Sequence, residues 1–121
     1  MLNTKFRGKR LDGEGWVFGY YYTNGTTHFI ATSHMYPVEP NTVGQFIGLY
    51  DKHGVEIYHG DYVRCVDENT FEASYAFEGH VEFQNGSFMI NSGAATHYRW
   101  IDYEVEVVDS IHDRPELIAY R

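Results

Sequence analysis

Hydrophobic and polar residues alternate with a period of two along most of the chain, and a helical period is hard to find. The run WVFGYYY, Trp16 to Tyr22, and the segment THFIAT, Thr27 to Thr32, flank a turn at residues 23–26 with Asn-Gly at its centre. Aromatic and β-branched residues favour strands, and Asn-Gly supplies the positive φ angles of a tight hairpin. The pattern therefore predicts an antiparallel hairpin in the first third of the chain.

The alternation is interrupted in the segment MYPVEPNTVGQ, which contains Pro37 and Pro40. Each proline removes a backbone donor, and together they hold the chain extended. We therefore expect the chain to change subdomain here. Residues 1–44 are predicted to form a β-rich N-terminal subdomain, and residues 45–121 the second subdomain.

The central stretch IGLYDKHGVEIYHGDYVRC combines short apolar runs with two turns in nineteen residues. Strands are predicted at Gln45–Leu49, Val55–Tyr58 and Tyr62–Val66, with turns at Asp51–Gly54 and His59–Asp61. Aspartate can bond the backbone ahead of it, and glycine tolerates the left-handed conformation. A glycine–aspartate pair just before such a strand is typical of small SH3-type barrels.

A second hairpin is predicted at VEFQNGSFMI, with Asn85 and Gly86 as the two loop residues of a type I′ turn. This turn fixes the register of the two strands, because a slip of one residue would invert every side chain. In the fixed register, four apolar side chains fall on one face: Val81, Phe83, Phe88 and Ile90. The turn residues and the apolar pattern thus predict the same register independently of each other.

Near the C-terminus, Tyr103, Val105 and Val107 alternate with Glu104 and Glu106. This pattern predicts a strand with one face in water. The elements found along the chain are thus strands and turns, and we predict an all-β protein.

The charge is unevenly distributed. Residues 1–10 carry four positive charges, and residues 11–121 carry five positive against seventeen negative charges, a balance of −12. Such an acidic body repels nucleic-acid phosphates, because duplex binding depends on Lys and Arg. The acidity either keeps a tyrosine-rich surface soluble or selects a basic protein partner.

The sequence shows no constellation that predicts catalysis, a metal site or a cofactor. The closest histidine pairs, His28/His34 and His53/His59, are six residues apart, and Cys65 is the single cysteine. Paired histidine ligands of zinc are usually three to five residues apart, so only a turn could bring either pair to one ion. No phosphate-binding glycine loop or nucleophile motif is present. We predict that the protein is not an enzyme.

Aromatic side chains are the remaining candidates for a recognition surface. Six of them exceed the needs of a small core: Trp16, Tyr20, Tyr21, Tyr22, Tyr98 and Trp100. They either form the seam between the two halves of the chain or anchor a protein interface. An alternative is base stacking on these rings, supported by a basic strip made of Lys5, Arg7, Lys9 and Arg10.

Four segments resemble the YopX-like proteins of phages and prophages: KFRGKR, GEGWVFG, VEPNTVGQFIGLYDKHGVEIYHGDYV and EVEVVDSIHDRPELI. They follow the family's order, whereas between Arg64 and Tyr103 only a strand and the Asn-Gly hairpin match. The resemblance implies an all-β chain in which a small N-terminal β-hairpin region packs with an SH3-like barrel from about residue 45. It also implies a phage or prophage origin and a homo-oligomer, and it carries over no catalytic residue set.

These observations together predict a non-enzymatic phage or prophage accessory protein that acts by protein–protein interaction and self-association. Besides a second copy of itself, a basic host or phage protein is the expected partner. The alternative is a small barrel that binds nucleic acid or a nucleotide. No apolar run reaches the roughly 20 residues of a membrane helix, and no secretory signal is recognisable. We therefore expect a location in the bacterial cytoplasm, away from the membrane.

Overall fold

The computed structural model describes residues 5–67 and 75–117. Every regular element in these ranges is a β-strand or a short 3-10 turn, so the prediction of an all-β protein is confirmed. The chain divides into two compact units, Met1–Phe46 and Ile47–Arg121. The sequence predicted the change of subdomain between residues 44 and 45.

The N-terminal unit is built from antiparallel strands. They are β1 (Phe6–Lys9), β2 (Trp16–Thr23), β3 (His28–Ala31), β4 (Met35–Val38) and the first residues of β5 (Gly44–Tyr50), with a 3-10 turn at Pro40–Thr42. Their order in the sheet is β4-β3-β2-β1-β5. A bridge between Arg10 and Val38 also ties β4 to the residue after β1. The sheet therefore curls around Ile30 and Val38, which are fully buried.

The hairpin between β2 and β3 lies where it was predicted, but its turn differs. The register leaves residues 24–27 in the loop, and within this loop only Gly25 has a positive φ. Asn24 uses its side chain instead: Oδ1 accepts hydrogen bonds from the amides of Thr26 and Thr27, at 2.9 and 2.8 Å. The prediction of two residues with positive φ was therefore wrong for this turn.

Pro37 lies within a strand that the sequence did not predict. It pairs with Phe29 of β3, and its carbonyl accepts a hydrogen bond from the amide of Leu11 at 3.0 Å. A short strand at the margin of a sheet tolerates proline, because few of its amides need a partner. Pro40, in contrast, begins a 3-10 turn. The interruption of regular structure predicted at both prolines thus applies only to the second.

The C-terminal unit contains the rest of β5 and six further strands. They are β6 (Glu56–Tyr58), β7 (Asp61–Asp67), β8 (Tyr75–Gln84), β9 (Ser87–Asn91), β10 (Thr96–His97) and β11 (Tyr103–Ser110), with 3-10 turns at Trp100–Asp102 and Pro115–Leu117. Five of them form an antiparallel sheet in the order β10-β9-β8-β7-β11. Among the described residues, the outer strands β10 and β11 do not pair with each other. Hydrogen bonding therefore does not close the predicted SH3-like barrel.

The β8–β9 hairpin has the predicted register, from Val81 opposite Ile90 to Gln84 opposite Ser87. Asn85 and Gly86 have φ angles of 54° and 82°. Two consecutive positive φ angles are the requirement of a type I′ turn. The prediction of this hairpin is confirmed.

The core of the C-terminal unit lies against one face of this hairpin. Its buried members are Ile57, Val63, Cys65, Phe77, Val81, Ile90 and Val105. Phe88 packs against the cluster, and its ring centroid lies 4.9 Å from that of Phe83. Phe83 itself is 57% exposed, because it lies next to the turn and beyond the edge of the core.

The two central turns form where they were predicted, and an aspartate holds each of them. Gly54 and Gly60 both have positive φ angles. In the second turn, Oδ2 of the buried Asp61 accepts a hydrogen bond from the amide of Tyr58 at 2.8 Å. The amide of Gly60 donates to the carbonyl of Val81 at 3.0 Å. These contacts give Asp61 and Gly60 a structural role in the turn.

Candidate interaction surfaces

The even-numbered side chains of β2 form a row of aromatic rings on the outer face of the N-terminal sheet. We call this row, Trp16, Phe18, Tyr20 and Tyr22, the β2 stripe. Alternation along a strand puts all four on the same side. Phe18, Tyr20 and Tyr22 are 46%, 65% and 50% exposed. Phe18 was not among the predicted interface residues, although its two-residue spacing from Trp16 and Tyr20 was a sufficient signal.

Tyr21 lies on the opposite face of the same strand. Its ring centroid is 5.6 Å from that of Phe6, and its hydroxyl is hydrogen-bonded to Nδ1 of His28. Tyr21 therefore makes contacts inside the N-terminal unit, although 36% of its surface is exposed.

Two of the four predicted basic residues lie beside the first ring of the β2 stripe. Cζ of Arg7 is 4.4 Å from the ring centroid of Trp16, and Nζ of Lys9 is 6.0 Å from it. A cation over an aromatic face is attracted by the ring's electron density. Arg7 is buried, with 7% of its surface exposed. Both cations therefore lie within range of a cation–π contact with Trp16.

The other two basic residues have different surroundings. The guanidinium of Arg10 lies 2.5 Å from a carboxylate oxygen of Asp12 and 4.4 Å from the ring centroid of Tyr36. Its hydrogen bond holds the pKa of Asp12 below the ordinary value. Lys5 precedes β1 and is half-buried. Of the four predicted cations, Arg7 is thus buried, and the other three are half-buried.

The remaining predicted aromatic residues belong to the C-terminal unit. Trp100 begins the 3-10 turn before β11, packs against the core, and donates its indole N–H to the carbonyl of Phe88 at 3.1 Å. Tyr98 is 43% exposed, and Ile101, in the middle of the turn, is 92% exposed. The side chain of Trp100 is thus held against the core, whereas Ile101 projects from this turn into solvent. The sequence did not single out Ile101.

An apolar groove of about 550 Å³ opens beside this turn, and we call it the C-terminal groove. Its lining is mostly apolar or aromatic: Leu49, Tyr50, Ile57, Trp100, Ile101, Tyr103 and Val105, with Asp51, Lys52 and Glu104. A volume of this size is typical of sites that take a small ligand or the side chains of a partner.

One ion pair lies in the lining of the C-terminal groove, and another flanks the 3-10 turn beside it. Nζ of Lys52 lies 3.4 Å from Oε1 of Glu104, and Nε of Arg99 lies 2.6 Å from Oδ2 of Asp102. Glu104 and Lys52 also border a second depression of about 260 Å³, which Arg64 shares. The groove therefore has a mostly apolar lining, with one lysine and two carboxylates among its lining residues.

Nucleophilic and metal-binding side chains are dispersed in the described part of the chain. Over residues 5–67 and 75–117, no three His, Cys, Asp or Glu side chains come together in a way that could hold a metal ion. Cys65 is fully buried, and burial raises the pKa of its thiol to about 12. Nε2 of His53 lies 3.2 Å from Oε2 of Glu106 on the surface. None of the helical turns described is long or apolar enough to cross a membrane.

A family model described as YopX protein matches residues 5–119, which is nearly the whole chain. No curated protein matches the chain significantly.

Proposed function

The chain belongs to the YopX family, and we propose that it is a non-enzymatic binding protein that contacts another protein through the β2 stripe. The observation that carries the proposal is the exposure of Phe18, Tyr20 and Tyr22, at 46%, 65% and 50%. Their spacing of two residues puts successive rings about 6.6 Å apart along a strand. Such a row presents one continuous aromatic surface to a partner.

Aromatic side chains suit this role for energetic reasons. Tyr and Trp bury a large area with few rotatable bonds, and they dominate the binding energy of many interfaces. The stripe lies on a paired strand, so little backbone entropy is lost on binding. Arg7 and Lys9 hold the ring of Trp16 at one end of the row. These features support a preformed contact surface.

The charge of the chain supports a basic protein as the partner. Residues 11–121 carry a balance of −12, which attracts basic surfaces and repels nucleic-acid phosphates. We propose a host or phage protein of this kind, met in the bacterial cytoplasm by a phage- or prophage-encoded accessory protein. Self-association is the second part of the proposal.

The test compares three purified chains as bait in a lysate of a bacterial host. They are the unaltered protein, the double variant Tyr20→Ser/Tyr22→Ser, and the control Tyr98→Ser, which removes an exposed tyrosine outside the stripe and the groove. A protein retained by the first and third baits only is then purified and titrated against all three. We expect the double variant to bind at least about 30-fold more weakly, the loss typical of a hot spot. Equal affinity of all three would contradict the proposal.

A parallel titration with single-stranded and duplex oligonucleotides tests the alternative function, nucleic-acid binding. Under the proposal, fluorescence anisotropy stays unchanged at physiological salt. Binding that weakens steeply with salt, and that disappears when Lys5, Arg7, Lys9 and Arg10 are neutralised, would replace the proposal with nucleic-acid recognition.

A further inference from the structure

We propose that the C-terminal groove receives Ile101 of a second copy, so that two chains associate through a two-fold symmetric contact. The inference rests on the self-association in the proposed function and names the surface that would produce it. That surface lies in the C-terminal unit and shares no residue with the β2 stripe.

The projecting element is a rigid turn. Ile101 exposes 92% of its surface at the centre of the 3-10 turn Trp100–Asp102. On one side, the indole of Trp100 is fixed by its hydrogen bond to the carbonyl of Phe88. On the other side, the amide of Asp102 donates to the carbonyl of Arg99 at 2.8 Å, and their side chains form an ion pair. A branched apolar side chain is therefore held in water at a defined position.

The receiving element lies directly beside it. Ile57 and Val105 are buried members of the core that reach the groove, and Trp100 and Tyr103 line it as well. The groove of about 550 Å³ leaves apolar surface unfilled next to the projecting Ile101. Filling it with an aliphatic side chain would remove apolar area from water at both sites.

Symmetry makes a second copy the natural occupant. In a two-fold contact, the same patch on both chains must complement itself, and each residue pair occurs twice. A projection and a groove that adjoin on one surface meet this requirement, because each chain supplies what the other receives. One contact would then bury both Ile101 side chains.

The charges of the groove allow two copies of an acidic unit to meet there. Residues 47–121 contain five positive and fourteen negative side chains, a balance of −9, so two copies repel each other overall. The groove carries charges of both signs, because Lys52 lines it together with Asp51 and Glu104 and lies 3.4 Å from Glu104. The proposed two-fold contact sets Lys52 of one chain opposite Glu104 of the other, so that unlike charges face each other.

The first experiment measures mass by light scattering over micromolar concentrations. We expect the unaltered protein to reach twice the 14.1 kDa of one chain, and Ile101→Glu to dissociate at least about 30-fold more readily. The matched control is Val108→Glu, which places the same charge at an apolar position of β11 that is 47% exposed and does not line the groove. It should keep the mass of the unaltered protein. Near-ultraviolet circular dichroism checks that each variant is folded.

The second experiment exchanges charges. Lys52→Glu and Glu104→Lys should each be monomeric, because each places like charges opposite one another in the symmetric contact. An equimolar mixture of the two variants should regain the mass of two chains, since every Lys–Glu contact is then restored between unlike copies. A merely structural role of the ion pair would not produce this rescue.

Three results would overturn the inference: a single-chain mass for the unaltered protein, an unchanged mass for Ile101→Glu, or no rescue in the mixture. The stripe variant Tyr20→Ser/Tyr22→Ser distinguishes failure of this inference from failure of the proposed function. If it alone became monomeric, self-association would stand and the groove would be the wrong surface. If the groove variants became monomeric while partner binding stayed intact, the stripe and the groove would be independent sites.

Discussion

The amide of Val107 donates a hydrogen bond to Oδ2 of Asp51 at 3.0 Å, although 56 positions separate the two residues. Oδ1 of the same carboxylate accepts hydrogen bonds from the amides of His53 and Val55, at 2.8 and 2.9 Å. The bond to Val107 is made where the pairing of β11 with β7 shifts register, between Val107 and Asp109. One buried side chain thus holds the β5–β6 turn together and fastens it to β11, which lines the C-terminal groove.

Asp51→Asn should destabilise the protein by about 1–3 kcal/mol, because an amide group cannot accept all three hydrogen bonds and would leave a buried donor unpaired. Urea denaturation followed by circular dichroism measures the loss. The control is Glu116→Gln, which neutralises an exposed carboxylate paired with Arg114 on the surface and should leave the stability nearly unchanged. Similar losses for both variants would contradict the structural role of Asp51.

The stability that Asp51 provides should depend on pH. Burial alone would raise the pKa of its carboxyl group, but the hydrogen bonds from Val107, Val55 and His53 outweigh burial and lower the pKa. The unfolded chain therefore binds a proton first as the pH falls, at about 3.9. The contribution is complete above that pH and is lost as the pH falls through the lower value of the folded state.

The measurement for this prediction is the difference in unfolding free energy between the unaltered protein and Asp51→Asn, at pH 7, 5, 4 and 3. We expect the same difference at pH 7 and 5, and a smaller one below pH 4. A difference that grew on acidification would show that the pKa is raised in the folded protein.

Gly79→Ala should destabilise the β8–β9 hairpin. A Cβ atom at this position would lie 2.4 Å from the carbonyl oxygen of Asn91 and 2.8 Å from Cγ2 of Ile90. Because the nearest atom belongs to backbone, the strand must move, at an expected cost of about 1–3 kcal/mol or more. Thermal unfolding measures it, with the exposed neighbour Glu78→Ala as control. A melting temperature unchanged by Gly79→Ala would mean that β9 can shift freely.

Two residues on the same face of the hairpin should differ in their importance. Ile90 is fully buried, so Ile90→Ala should cost about 2–5 kcal/mol through lost contacts and a cavity. Phe83 is 57% exposed and contacts Phe88 across the strands, so Phe83→Ala should cost about 1 kcal/mol. Chemical denaturation of both variants checks the order. Equal costs would place Phe83 in the core as the sequence suggested.

Cys65 should be inert in the folded protein. It is fully buried, and burial raises the pKa of its thiol to about 12. At neutral pH, therefore, a reagent cannot reach the sulfur and hardly any of the reactive thiolate is present. A chromogenic disulfide reagent should react with one thiol per chain in urea and more than about tenfold more slowly in buffer. Rapid reaction in buffer would show that β7 opens locally.

Local chemistry predicts the hairpins better than the strands around them. Asn85-Gly86 and the four apolar positions around it determine a register that the structure reproduces, because both signals lie within ten residues. The loop at Asn24 has the same dipeptide but a different turn, since its amides bond to the Asn24 side chain. Met89 lies on the other face of the β8–β9 hairpin and is fully buried, which alternation alone does not predict.

The sequence by itself determined the strand character of the chain, the central turns and the register of the β8–β9 hairpin. These properties depend on backbone preferences and on the two-residue period of a strand, which neighbouring residues set. Only the tertiary structure decided that Arg7 is buried against Trp16, that the indole of Trp100 packs against the core, and that Ile101 projects beside an apolar groove. Those properties depend on contacts between residues far apart in the chain, such as Asp51 with Val107, and no local pattern encodes them.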